Sequence, residues 1–235
     1  MYKFSVKLSD KNTDACGISN IEVKDGFFGQ PISKMDGKCV QDSRDWLIYN
    51  MKRAIVYTVN IPVDCYDEYV RALQNARALG VEAVKICACA LGDCSDKTAE
   101  KLSAIFEIAQ AVGVKIAFEP KAEYPDFTMD FYGKIRCDVT RLIYNPAEFV
   151  KENKNPFLQV LYKSKFKDDI IILRVNDRLY NGGYTMPELG NSEIKECASI
   201  LLARSYEGYF SFEPYLENVS VKKIIEAFLE TLTKM

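Results

Sequence analysis

Ala109-Gln110-Ala111-Val112-Gly113-Val114-Lys115-Ile116-Ala117-Phe118-Glu119-Pro120 is the stretch on which the fold reading turns. A helical segment ends at Gly113 and an apolar run follows at once. Gly just past a helix end takes a left-handed backbone without Cβ strain, so the junction reads as a helix-to-strand loop. The same cadence recurs where Gly80 leads into Val81 to Cys89 and where Gly208 leads into Tyr209 to Glu213. Gly17 before Ile18 to Lys24 is a further instance, although the segment preceding it is too short and polar for a full helix.

Working outward, apolar residues at helical period mark segments between these strands. Val70, Leu73, Ala76 and Leu79 fall at three-residue steps, and Leu102, Ile105, Phe106, Ile108 and Ala109 share one face. Helices are therefore predicted over 67–79, 98–112, 146–153, 156–165, 192–206 and 219–234. Strands are predicted near 3–8, 18–24, 55–60, 83–89, 115–119, 139–145, 170–176 and 209–213. Eight strands alternating with helices suit a parallel sheet, and the 235 residues lie close to the roughly 250 of a closed (β/α)₈ TIM barrel. An open doubly wound sheet ranks below it, because no Gly-x-Gly-x-x-Gly or Walker-type loop follows any strand. The first βα unit reads as trimmed, and 121–137 as an irregular insertion. With no linker or low-complexity stretch in view, the expectation is a single domain over 1–235.

Composition narrows the chemistry. There is no histidine, which removes Ser-His-Asp and Cys-His relays and every His-ligated metal centre. Proton chemistry must fall to carboxylates, Lys, Tyr or Cys. Lys plus Arg number 31 against 33 Asp plus Glu, so no general attraction to nucleic acid is expected. No apolar run reaches the roughly 18 residues of a membrane span. The opening Met1 to Lys7 lacks a signal-peptide core, so the eight cysteines are expected as mostly free thiols in a reducing cytoplasm.

Side chains alternate along a strand, so parity assigns the barrel interior. Ile116 and Phe118 face helices, leaving Ala117 and Glu119 inward. The same test sends Ser211 and Glu213, Arg174 and Asn176, and Arg141, Ile143 and Asn145 inward. Earlier strands add Lys7, Glu22, Lys24, Thr58, Asn60, Lys85, Cys87 and Cys89. That interior is strongly polar. Buried charges must pair or sit at the wet C-terminal mouth, where active sites of this architecture lie. Self-neutralising ion pairs and a polar-ligand pocket both meet that requirement.

Residues 109–120 also resemble the fifth-strand signature of the sugar phosphate isomerase/epimerase superfamily, the xylose isomerase-like TIM barrels, in which a strand ends in a metal-binding Glu. Leu201 to Pro214 resembles that family's last unit, with Glu213 at the second metal-binding position. Leu173-Arg174-Val175-Asn176-Asp177 resembles its His-x-x-Asp stretch, and Leu189-Gly190 the loop before its eighth unit. The resemblance runs from about residue 66 to the end. Two of the four ligand positions it implies are changed, since Asn145 replaces Asp and Arg174 replaces His. Glu148 stands where a second His is often found. Asn can lend a carbonyl oxygen to a cation, whereas Arg has no lone pair to give. No cofactor is therefore expected; a divalent metal, were one held, would fall to Glu119, Asn145 and Glu213.

The resemblance implies proton transfer next to a carbonyl of a sugar, sugar phosphate or sugar acid, with Glu119 and Glu213 as acid and base. Arg174 is expected between them in place of the metal. Lys85, Asn145, Arg174, Asn176, Asp177 and Arg178 are the expected substrate-binding residues, the cations serving an anionic group. The alternative is a non-catalytic carbohydrate-binding or regulatory protein on the same barrel. Apurinic-site endonucleases share the fold but need a His-rich zinc cluster, which this chain cannot build. Lys85 could instead form a Schiff base or pair with a barrel Glu. Cys87, Cys89 and Cys94 resemble a thiolate zinc site but lack a companion pair.

Overall fold

The computed structural model describes residues 2–8 and 15–234. Its strands are β1 (Lys3–Lys7), β2 (Asn20–Lys24), β3 (Arg53–Val59), β4 (Ala83–Ile86), β5 (Lys115–Phe118), β6 (Thr140–Tyr144), β7 (Ile170–Arg174), β8 (Asp177–Arg178), β9 (Tyr184–Thr185) and β10 (Tyr209–Phe212). The α-helices are α1 (Gly37–Tyr49), α2 (Tyr66–Leu79), α3 (Asp96–Val112), α4 (Met129–Ile135), α5 (Pro146–Lys151), α6 (Ile194–Leu202) and α7 (Val221–Thr233). Eight parallel strands close into a barrel in the order β1-β10-β7-β6-β5-β4-β3-β2, while β8 and β9 form a separate antiparallel ladder. No helix among the described residues is long and apolar enough to cross a membrane. By contacts the chain divides into two compact units, one of residues 7–119 and 124–141 and the other of 1–6, 120–123 and 142–235.

In the first unit, parallel register aligns Lys24, Thr58, Lys85 and Ala117 across β2, β3, β4 and β5. Such an alignment puts the four side chains on one face of the sheet. The opposite face is apolar: Phe118 packs against Phe106 of α3 and stacks on Phe127 at 5.4 Å. Gly80 and Gly113 close α2 and α3 in the left-handed conformation, at φ 75° and 73°. These are the junctions the sequence shows.

Two helices depart from expectation. α1 buries only Ser43 and Leu47, so it carries no apolar stripe for periodicity to reveal; Asp36 starts it by accepting from Cys39 N–H at 2.8 Å. α4 lies inside the stretch read as irregular and is seven residues long, too short for a period, with Thr128 capping it through Phe131 N–H at 3.0 Å. β4 stops at Ile86, and Ala88–Ala90 forms a 3₁₀ turn where strand was expected. Arg141, expected to point inward, is half-buried and donates to the carbonyls of Thr140 and Asp138 at 2.6 and 2.9 Å.

In the second unit, Ser5, Ser211 and Arg174 share one register line across β1, β10 and β7. The core below is aromatic, with fully buried Phe228 of α7 against Phe210 and Phe212 at 5.1 and 5.8 Å. The Gly208 junction works differently from Gly80 and Gly113. α6 ends at Leu202, the left-handed residue is Ser205 at φ 59°, and Gly208 is needed for space. A Cβ there would lie 2.5 Å from the Ile171 carbonyl oxygen and from the Tyr206 ring. Residues 156–161 form a π-helical turn rather than a full helix to 165.

Candidate functional site

Each unit carries a sequence-predicted strand-end carboxylate with its own donors. In the first, Glu119 immediately follows β5 and Lys85 sits on the neighbouring β4. The Lys85 ammonium lies 2.7 Å from Glu119 Oε2, with side-chain exposures of 9% and 2%. Burying either charge alone would cost several kcal/mol, so each supplies what the other needs. Past the end of β4, Cys89 Sγ lies 3.1 Å from Asn60 Oδ1 and 2.9 Å from Cys87 Sγ.

In the second unit Glu213 immediately follows β10. It accepts from Asn176 Nδ2 at 2.6 Å, and Arg174 Nε lies 4.0 Å from the same oxygen. Arg174 is fully buried and donates through Nη1 to Ser211 Oγ at 2.6 Å. The guanidinium is therefore shared between a hydroxyl and a carboxylate. Asn145, 2% exposed, follows β6 at the N-cap position of α5 without a side-chain capping bond.

Asp177 is buried, and its carboxylate accepts three backbone N–H groups: Arg178 at 2.8 Å, Ser192 at 3.0 Å and Gly190 at 3.0 Å. It pins the Gly190 to Ser192 loop beneath β8. A Cβ on Gly190 would collide with that carboxylate and lie 2.8 Å from the Arg178 carbonyl oxygen. The Arg178 guanidinium lies over the Tyr184 ring at 4.8 Å, and Tyr184 in turn contacts Tyr215 at 5.5 Å. Burial pushes the Tyr215 phenol well above its ordinary value, so it is a neutral hydroxyl beside that ring pair.

Parity reasoning passed over one ion cluster. Glu148, 3% exposed, accepts from Lys151 Nζ at 3.0 Å, Lys121 Nζ at 3.3 Å and Ala122 N–H at 3.2 Å. Burial alone would lower the Lys151 amine, but the hydrogen bond and charge of Glu148 outweigh it and the net shift is upward. The sequence signal was Glu148 itself, a carboxylate where the resembled family often has a His. Its lysines come from a loop and a helix, where strand parity has nothing to say.

Both candidate carboxylates have cationic partners. A hard cation needs several oxygen ligands with compensating negative charge. Here an ammonium lies on Glu119 and a guanidinium beside Glu213, and among the described residues no group of three or more His, Cys, Asp or Glu is disposed to hold an ion.

No family model matches the sequence, and no curated protein matches it. Solved structures do. A xylose isomerase domain protein from Planctomyces limnophilus superimposes with a TM-score of 0.77 at 13% identity, over 99% of this chain and 96% of that one. The fold is that of the xylose isomerase-like TIM barrels. A D-tagatose 3-epimerase-like protein gives 0.74 at 17% identity over 99% and 97%. A probable 3-DHS dehydratase from Bacillus anthracis gives 0.67 at 10% identity over 98% of both chains. At these identities the likeness is one of fold, and the reaction must be argued from the side chains.

Proposed function

We propose that this chain is a sugar isomerase/epimerase-like protein acting on a small sugar, sugar phosphate or sugar acid by proton transfer next to a carbonyl, without a resident metal. The carrying observation is that Glu119 and Glu213 each end a barrel strand with a built-in donor, Lys85 on one and Asn176 with Arg174 on the other. The reaction needs a base to take the proton from the carbon beside the carbonyl, positive charge for the enediolate oxygen, and an acid to return a proton. The reading assigns abstraction and return to the two carboxylates and the charge to Lys85 and Arg174. Arg178 and Tyr184 supply a cation and a ring for the substrate's anionic or apolar side.

The pairing of Lys85 with Glu119 also favours a second reading. A carboxylate already neutralised by a buried ammonium is a poor base, so a carbohydrate-binding protein that no longer turns over uses the same residues. Solvent-deuterium exchange separates the two, since exchange at the carbon needs only abstraction and return. Pentoses, hexoses, their phosphates and sugar acids are incubated in D₂O and the carbon-bound hydrogen is followed by NMR. The catalytic reading expects exchange into at least one of them, slowed by at least about 100-fold in Glu119→Gln or Glu213→Gln, because an amide cannot accept the proton. Binding with no exchange establishes the second reading; exchange that survives both substitutions overturns the assignment.

A further inference from the structure

Cys87 and Cys89 stand outside the proton-transfer reading, yet their geometry is specific. We propose that they form a reversible dithiol/disulfide site that exchanges with low-molecular-weight disulfides of the glutathione type. All eight cysteines are free thiols, and the two sulfurs lie 2.9 Å apart. A disulfide is about 2.05 Å long, so closing the bond takes a movement of under about 1 Å.

The backbone explains the approach. Had β4 continued to Cys89, two strand rises of about 3.3 Å each would hold the two Cβ atoms well apart on one face. Instead β4 stops at Ile86 and Cys87 caps the 3₁₀ turn Ala88–Ala90, its carbonyl accepting from Ala90 N–H at 2.9 Å while its own N–H donates to the Val59 carbonyl at 3.0 Å. Tightening the chain here folds the second sulfur back over the first. Ala88 between them has no bulk to oppose it.

Exposure divides the roles. Cys89 is exposed and Cys87 half-buried, so Cys89 meets the incoming disulfide and Cys87 resolves it. The Cys89 thiolate attacks one sulfur of the small disulfide, expelling one small thiolate that takes up a proton and leaving a mixed disulfide. The Cys87 thiolate then attacks Cys89 Sγ, expelling the second small thiol. Two protein thiols are oxidised to one disulfide, and one small disulfide is reduced to two thiols. In the resting thiol, Cys89 Sγ donates to Asn60 Oδ1 at 3.1 Å, a contact released when the thiol ionises to attack. A thiolate metal site is the competing use of these residues. It needs further ligands, and no suitable group of three occurs among the described residues.

The test uses the full chain and reads mass, so it stands apart from sugar turnover. Reduced protein is incubated with oxidised glutathione at mildly alkaline pH, blocked with an alkylating agent and digested. The expected result is the loss of two alkylatable thiols, with the fragment carrying Cys87 and Cys89 lighter by two hydrogens and restored by dithiothreitol. Cys87→Ser is expected to retain one glutathionyl group on Cys89, because its resolving thiol is gone. Cys94→Ser is expected to keep the internal bond. Equal alkylation of Cys87 and Cys89 with and without the oxidant, a stable glutathione adduct on unsubstituted protein, or a bond lost with Cys94→Ser would each overturn the proposal.

Discussion

Lys85 Nζ and Glu119 Oε2 are 2.7 Å apart inside the first unit, on adjacent parallel strands and almost out of contact with water. β4 and β5 pair Lys85 with Ala117, and Glu119, two residues on, has the same strand parity as Ala117. A long side chain from one level therefore reaches a carboxylate one level nearer the strand end. That diagonal makes the pair both a structural element and a water-shielded part of the candidate site.

Removing one partner strands the other. Lys85→Met and Glu119→Gln are each expected to lower unfolding free energy by about 3–5 kcal/mol, whereas the double substitution recovers much of that loss, since an apolar side chain can replace a buried charge once its partner is neutral. Urea denaturation of the three variants measures the cycle. Purely additive losses would mean that the pair is not the unit.

The barrel was legible because its strands are short apolar runs behind glycine junctions, and Gly80 and Gly113 do occupy the left-handed positions that the sequence implied. α1 was not legible, because a helix that buries Ser43 and Leu47 alone shows no period. In the candidate site, parity singles out Lys85, Glu119, Arg174 and Glu213, which lie on or at the ends of strands. It could not find Lys121 and Lys151 on Glu148, whose approach is set by loop and helix geometry. Nor could it foresee that the Asp177 carboxylate is taken by backbone N–H groups, since such contacts depend on where the chain returns at Gly190 to Ser192.

The second unit depends on α7 for its floor. Phe228 is fully buried against two β10 rings, and Phe228→Ala is expected to cost about 3–5 kcal/mol through lost burial and the cavity it leaves. Thermal melting checks this. The neighbouring exposed Leu229, changed to Ala, is expected to shift the midpoint far less.

Burial, reinforced by the charges of Asp126 and Asp93, pushes the Cys94 thiol up to about 11. A raised value keeps the folded thiol protonated where the unfolded one, at about 8.5, has begun to ionise. The resulting contribution to stability is complete below the unfolded value and falls as pH rises toward 11. Alkylation of Cys94 in folded protein is expected to remain slow at pH 8 and to rise about tenfold per pH unit up to that point. A rate already level by pH 9, read by mass spectrometry of the Cys94 fragment, would contradict the shift.

Asp177 and Gly190 fit closely against each other. The carboxylate needs the backbone of 190–192 close enough to donate two N–H bonds, and that closeness leaves no room for a Cβ at residue 190. Gly190→Ala must therefore push the loop off the carboxylate, while Asp177→Ala removes the acceptor and leaves the loop in place without its anchor. Hydrogen bonds to a charged group are worth about 1.5–3 kcal/mol each, so both substitutions are expected to destabilise by about 2–4 kcal/mol. They share one interaction, and the double variant is expected to cost little more than either single one. Amide hydrogen exchange gives the local reading, with protection at the Gly190 and Ser192 N–H groups falling in Asp177→Ala before any global unfolding. If those amides exchange as slowly as in the unsubstituted protein, the carboxylate is not what holds the loop, and Asp177 would be released to serve as the substrate-binding residue that its sequence position first suggested.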